Sequence, residues 1–292
     1  MTFRALALGR HPLATARLLL QLMRFDRPLG AAALTLLGAW LAVPAGAFAL
    51  APVLMAACVV ALITAFGFVI NDCCDLAVDT LGKPGRPLPS GRIAPALAKG
   101  FAWSLAGAGL LLAIMLGTAA TLFALGAIAL SAAYSYRLKS TLLLGNVAVA
   151  LLVGAVVVFG AVIAGGATTA AFAAAAITVF YFTAQEVLFN LEDEPQDRAA
   201  GLRTTATRLG PQRTARLLRG LLWLFMGAAL MPFLVGMATV VYLAALAACT
   251  LAPVAVMLAV LRAPVSAGAV ARAASLSRIV WLTSFVPLAL LK

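Results

Sequence analysis

Acidic residues are almost missing from this chain: nine Asp and Glu stand against 21 Lys and Arg in 292 residues. Histidine occurs once, at His11, with no partner residue near it in the sequence. Cysteine occurs four times, at Cys58, Cys73, Cys74 and Cys249, without metal-ligand spacing. These absences leave no basis for a zinc-type centre or a disulfide framework. Charged residues make up only 10% of the chain and aromatics 8%. No linker or low-complexity insert divides it, so a single domain over 1–292 is expected. A net charge of +12 would suggest nucleic acid as the partner of a soluble protein. At 64% hydrophobic residues and a mean hydropathy of +1.09 this chain is not soluble, and no nucleic-acid partner is expected.

What is present is a series of long apolar runs. Stretches of about 18 or more apolar residues read as transmembrane helices. Nine are expected, over 28–46, 50–71, 99–117, 119–136, 142–164, 169–190, 216–235, 237–261 and 275–291. The fold class is therefore all-α, a multi-pass membrane bundle. The basic residues fall before the first run and in alternate connections, and only Lys292 lies on the other side. That bias places the N-terminus in the cytoplasm and the C-terminus outside. An integral protein of a bacterial or archaeal cytoplasmic membrane is implied. Residues 1–25 carry Arg10, Arg17 and Arg24 at seven-residue intervals beside leucines, the pattern of a basic amphipathic helix on an anionic membrane surface.

Eight of the nine acids fall in two clusters, each closing an apolar run. The first is Asn71-Asp72-Cys73-Cys74-Asp75-Leu76-Ala77-Val78-Asp79, and the second runs from Glu186 and Asn190 through Glu192-Asp193-Glu194 to Asp197. On a helix, Asp72, Asp75 and Asp79 at i, i+3 and i+7 project from one face, as do Asp193 and Asp197 at i and i+4. Like charges so gathered need cations, and Mg²⁺ suits them because it binds through one or two carboxylates while keeping water and phosphate oxygens. A merely solvated helix end would account for the exposure but not for the concentration of nearly all carboxylates in two places. Cys73 and Cys74 read as fillers. The neighbouring loops supply the opposite charge: Lys83 and Arg86 follow the first cluster, and Arg137 and Lys139 close the fourth run. Their ammonium and guanidinium groups suit phosphate oxygens. Arg92, Arg208, Arg213 and Arg216 read as orientation signals. The two halves echo each other faintly, which suggests a duplicated four-helix unit.

The pattern Asn-Asp-x-x-Asp-x-x-x-Asp, then Lys-Pro-x-Arg-Pro-Leu-Pro-Ser-Gly-Arg, then a second Asp-x-x-x-Asp resembles the UbiA-type intramembrane prenyltransferases. Arg24-Phe25-Asp26-Arg27-Pro28 fits as well. Tyr134-Ser135 through Lys139, Leu143-Leu144-Gly145-Asn146, and the segment from Glu186 to Thr204 are most similar to the digeranylgeranylglyceryl-phosphate synthase group. Two residues depart from that group, Asn190 where it tends to carry Asp and Gln185 where it tends to carry Arg. The resemblance implies that Asp72, Asp75, Asp193 and Asp197, with Asp79 and Asn71, hold two Mg²⁺ ions on a prenyl diphosphate. Lys83, Arg86, Arg137 and Lys139 would bind the remaining oxygens, with Arg27, Tyr134, Glu186 and Asn190 completing the substrate surface. A hydrophobic or amphiphilic acceptor, lipid or aromatic, would take the prenyl group on the cytoplasmic side of the membrane lipid. A membrane terpene cyclase of the same superfamily would share the metal chemistry. A cation-coupled transporter would instead place its carboxylates near the bilayer midplane.

Overall fold

The computed structural model describes residues 12–43, 49–262 and 264–292. Helix α1 (Pro12–Met23) precedes α2 (Asp26–Ala42), α3 (Leu50–Cys74) and the short α4 (Leu76–Gly82). Helices α5 (Pro95–Leu116) and α6 (Thr118–Tyr136) complete the first half. The second half contains α7 (Leu144–Ala164), α8 (Thr169–Glu192), the short α9 (Glu194–Ala199) and α10 (Thr205–Leu209), and α11 (Pro211–Leu234). Helices α12 (Val240–Leu246) and α13 (Ala252–Val260) flank a π-helical turn and form one rod, and α14 (Ala267–Thr283) leads into α15 (Phe285–Ala289). Among the described residues, eight helical segments are long and apolar enough to cross a membrane. The first expected span appears as α2, which has only 17 residues, and residues 44–46 of that expectation lie outside the described ones.

The boundaries follow local chemistry. Pro95 and Pro211 start their helices, where a missing N–H costs nothing. Thr168 and Ser266 cap theirs by accepting from Ala171 and Ala269 N–H groups, each at 3.2 Å. Gly117, with φ +108, makes the hairpin between α5 and α6. The expected surface helix is described only from Pro12, and residues 1–11 lie outside the described ones. Leu22 in α1 is fully buried in a cluster with Phe66, Val69 and Ile70 of α3, so this helix is docked on the bundle through one face. Arg17 and Leu13 remain exposed on it.

The two halves repeat with one register. Helix α2 starts at 26 and α7 at 144, while α4 starts at 76 and α9 at 194, both 118 residues apart. Contacts match as well: α2 packs on α3 as α7 packs on α8, and α3 packs on α5 as α8 packs on α11. The only non-glycine residues described with positive φ, Arg24 (49°) and Leu143 (59°), stand before the equivalent helices α2 and α7. Those two helices cross at glycines. A Cβ on Gly38 would lie 1.9 Å from the Val157 carbonyl oxygen, and one on Gly160 the same distance from that of Thr35. The missing side chains let the backbones meet and join the two halves.

Candidate functional site

Both acidic motifs are built on the same backbone device. The helix entering each one breaks at an aspartate, Asp75 at φ −90° and ψ 5° and Asp193 at φ −87° and ψ −2°. The expected unbroken helix through Asp72, Asp75 and Asp79 is thus interrupted at its middle carboxylate. The i to i−4 ladder nevertheless persists: Asp75 N–H donates to Asn71 O at 2.8 Å and Asp79 N–H to Asp75 O at 2.8 Å. In the second motif Asp193 donates to Phe189 O at 2.9 Å and Asp197 to Asp193 O at 3.0 Å. The bend keeps Asp72 and Asp79 on one side and turns Asp75 to another. Asp72 and Asp79, each less than 5% exposed, converge on Arg86 Nη1 at 3.5 and 2.6 Å. Asp75 accepts from Asn71 Nδ2 at 2.8 Å and pairs with Lys139 Nζ.

The motifs meet directly. Lys83, at the end of α4, donates to both oxygens of Asp193 at 2.8 and 2.9 Å. Gly82 faces Gln196 so closely that a Cβ there would overlap the amide. The loop between α4 and α5 is braced from within: Arg92 donates to Gly85 O at 2.6 Å and Ser90 to Arg86 O at 2.6 Å. Leu88 and Ile93 are buried beneath it. Arg92, read as an orientation signal, is therefore a strut that holds Lys83 and Arg86 in place.

Asp197 is buried and has no cation paired to it among the described residues. Burial, then the neighbouring Asp193 charge, raise its carboxyl to about 6, only partly offset by the Thr204 hydroxyl. Asn190 occupies the register of Asp72 and takes part in a neutral network instead: Asn146 Nδ2 donates to it at 3.3 Å, and Thr205 Oγ1 donates to Asn146 Oδ1 at 3.1 Å. Tyr134 OH donates to Glu186 Oε2 at 3.4 Å. Arg27 pairs with Asp26 at 3.2 Å and lies over the Phe189 ring. Glu192 is exposed, and the buried Glu194 is bound by Arg198. Arg137 is exposed and makes no ion pair among the described residues, so of the two bases after α6 only Lys139 reaches an acid.

Arg24 is the residue that pattern reading passed over in favour of Arg27. Its Nη2 lies 2.5 Å from Asp72 Oδ1 across 48 residues of chain. Its left-handed backbone marks it in the structure, and that is not visible in a sequence. Trp281 packs edge-on against Phe182 at 5.1 Å and stacks near Tyr181 at 6.5 Å.

Among the described residues no three His, Cys, Asp or Glu side chains converge as a preformed metal cage. The donor set still fits Mg²⁺, which needs all-oxygen ligands and only one or two carboxylates beside water and substrate phosphate. Asn71 Oδ1 is buried without a hydrogen-bond partner, an oxygen facing the same carboxylates and free to take a ligand. Asp75 Oδ1 also lacks a well-angled hydrogen bond, but its contact with Lys139 means it is paired.

Comparison with known proteins agrees with this architecture. A model of the UbiA prenyltransferase family matches residues 31–287. A digeranylgeranylglyceryl phosphate synthase of Methanoculleus marisnigri is 39% identical over 164 residues, 56% of this chain and 59% of that protein. The chain thus spans about three fifths of that relative's length. One from Saccharolobus solfataricus is 31% identical over 219 residues, covering 74% of this chain and 77% of that one. Among solved structures, one of a digeranylgeranylglyceryl phosphate synthase in membranes superimposes with a TM-score of 0.74 at 23% identity over 94% of this chain and 98% of that one. A UbiA homologue of Archaeoglobus fulgidus bound to GPP and Mg²⁺ gives 0.71 at 19% identity, covering 93% and 99%.

Proposed function

Because the chain belongs to the UbiA prenyltransferase family, we propose that it is a Mg²⁺-dependent intramembrane enzyme that transfers a prenyl group from a prenyl diphosphate to a lipid or aromatic acceptor, releasing pyrophosphate. The observation that carries this reading is the junction of the two acidic motifs, where Lys83 of the first holds Asp193 of the second. Asp72, Asp75 and Asp79 with Asn71, and Asp193 with Asp197, are the residues that would hold about two Mg²⁺ ions. When bound, the metal neutralises charge on the departing diphosphate. Lys83, Arg86 and Lys139 now satisfy the carboxylates, and they become free to bind phosphate oxygens once other cations take that role. Arg24 and the braced 83–92 loop hold these groups in position. The apolar spans below exclude water, so the allylic cation meets the acceptor first. Relatives named as digeranylgeranylglyceryl phosphate synthases support a lipid rather than an aromatic acceptor.

The aromatic residues argue against cyclisation as the main reaction. Tyr181, Phe182, Phe225, Trp281 and Phe285 pack on one another as core. Ring faces that are occupied in this way do not line a path for a migrating cation. The test is pyrophosphate release by the purified chain with Mg²⁺ and prenyl diphosphates of several lengths, with and without membrane lipid extract. Release should be slow without acceptor and rise with it, giving a prenylated lipid. Rapid acceptor-free release with a cyclic terpene would overturn the transferase assignment.

A further inference from the structure

The same end of the bundle carries a second charged feature, of opposite sign. An open cavity of about 450 Å³ lies past the end of α9, lined by Arg198, Gly201, Leu202, Arg203, Thr207 and Arg208. Three arginines and no carboxylate face it. The adjacent acid Glu194 is buried and already satisfied by Arg198. Arg208 is held in a fixed orientation: its Nε donates to Arg203 O at 3.0 Å and its Nη2 to Ser140 O at 3.3 Å. A residue that only sets orientation in the bilayer needs no such anchoring. With five N–H donors, the guanidinium retains donors for a ligand. The side chain of Arg203 has no hydrogen bond or ion pair among the described residues. Gly201, at φ +72, turns the chain at the rim, and a Cβ there would meet nothing within 4 Å.

We propose that Arg203 and Arg208, with Arg198 at the rim, form an anion site for a phosphate ester, separate from the acidic motifs. Planar guanidinium groups match the paired oxygens of such an ester. The cavity also adjoins the backbone that carries the acidic site. Leu202 N–H donates to Asp197 O at 2.9 Å, and Ser140, which accepts from Arg208, follows Lys139, the partner of Asp75. An ester bound here would tie the α9–α10 segment to the turn after α6. The ester comes either from a soluble phosphomonoester or from an anionic lipid headgroup, and neither source requires the transfer reaction.

Arginine footprinting of the full chain with phenylglyoxal, read residue by residue by mass spectrometry, tests this. One arm adds sn-glycerol phosphate in neutral detergent, and the other compares phosphatidylglycerol with phosphatidylcholine nanodiscs. In one arm or both, modification of Arg203 and Arg208 should slow by about tenfold, the effect of one charge-assisted hydrogen bond. The exposed Arg213 and Arg216 should change little. Protection by glycerol phosphate identifies a soluble ester, and protection confined to phosphatidylglycerol identifies a lipid headgroup. Arg203→Gln should remove the protection at Arg208, while Arg213→Gln should leave it. No protection in either arm, equal protection along the whole 198–219 segment, or protection at Arg208 that survives Arg203→Gln would overturn the site.

Discussion

Asp72 is a carboxylate almost wholly removed from solvent, and Arg24 and Arg86 make that tolerable. Removing one partner of a buried pair leaves a charge with less to compensate it, at a cost of about 1–3 kcal/mol. Arg24→Met should therefore lower the melting temperature in detergent, and combining it with Asp72→Asn should recover part of the loss. Strict additivity of the two changes would show that the pair is not coupled. Lys83 and Asp193 behave differently because both are about one third exposed. Lys83→Met should change stability by less than about 1 kcal/mol, yet slow Mg²⁺-dependent turnover by ~10²-fold if the ammonium stabilises the leaving group. A Lys83→Met enzyme with normal turnover would remove that residue from the substrate site.

At the scale of helices, α2 and α7, preceded by Arg24 and Leu143, pack directly on each other. Gly38→Ala and Gly160→Ala would each drive a methyl group into a carbonyl and force the helices apart, at about 1–3 kcal/mol. Gly107→Ala in α5 meets nothing within 4 Å and should be neutral or stabilising by about 0.5–1 kcal/mol. Thermal unfolding of the three variants in one detergent compares them, and equal behaviour would refute the close crossing. These helices were legible in the sequence because apolar runs of that length have few other solutions. The breaks at Asp75 and Asp193 were not, since spacings of three and four suit an unbroken helix equally well. Arg24 was hidden because its contact spans 48 residues. Sequence spacing likewise ranked Arg137 and Lys139 together, and only the turn at Leu138–Ser140 separates the one that reaches Asp75 from the one left in solvent.

For the whole molecule, the register of 118 residues explains why two motifs of one design face each other at one end of the bundle. The same register also exposes their inequality: the Arg24–Asp72 pair of the first half is matched by Leu142 and Asn190 in the second, so a cation and an anion are both missing there. If the shared end is cytoplasmic, a cysteine at Ser90 in a chain without its native cysteines should be labelled only after permeabilisation, and one at Lys292 from outside. External labelling at 90 would invert the topology. The central claim is that the two motifs together hold divalent metal on a diphosphate. Electron paramagnetic resonance of Mn²⁺ titrated into the purified chain, with a prenyl thiolodiphosphate that cannot ionise, tests it most directly. About two tightly bound ions per chain, with binding lost or halved in both Asp72→Ala and Asp193→Ala, is the predicted result; undiminished Mn²⁺ binding in both variants would contradict it.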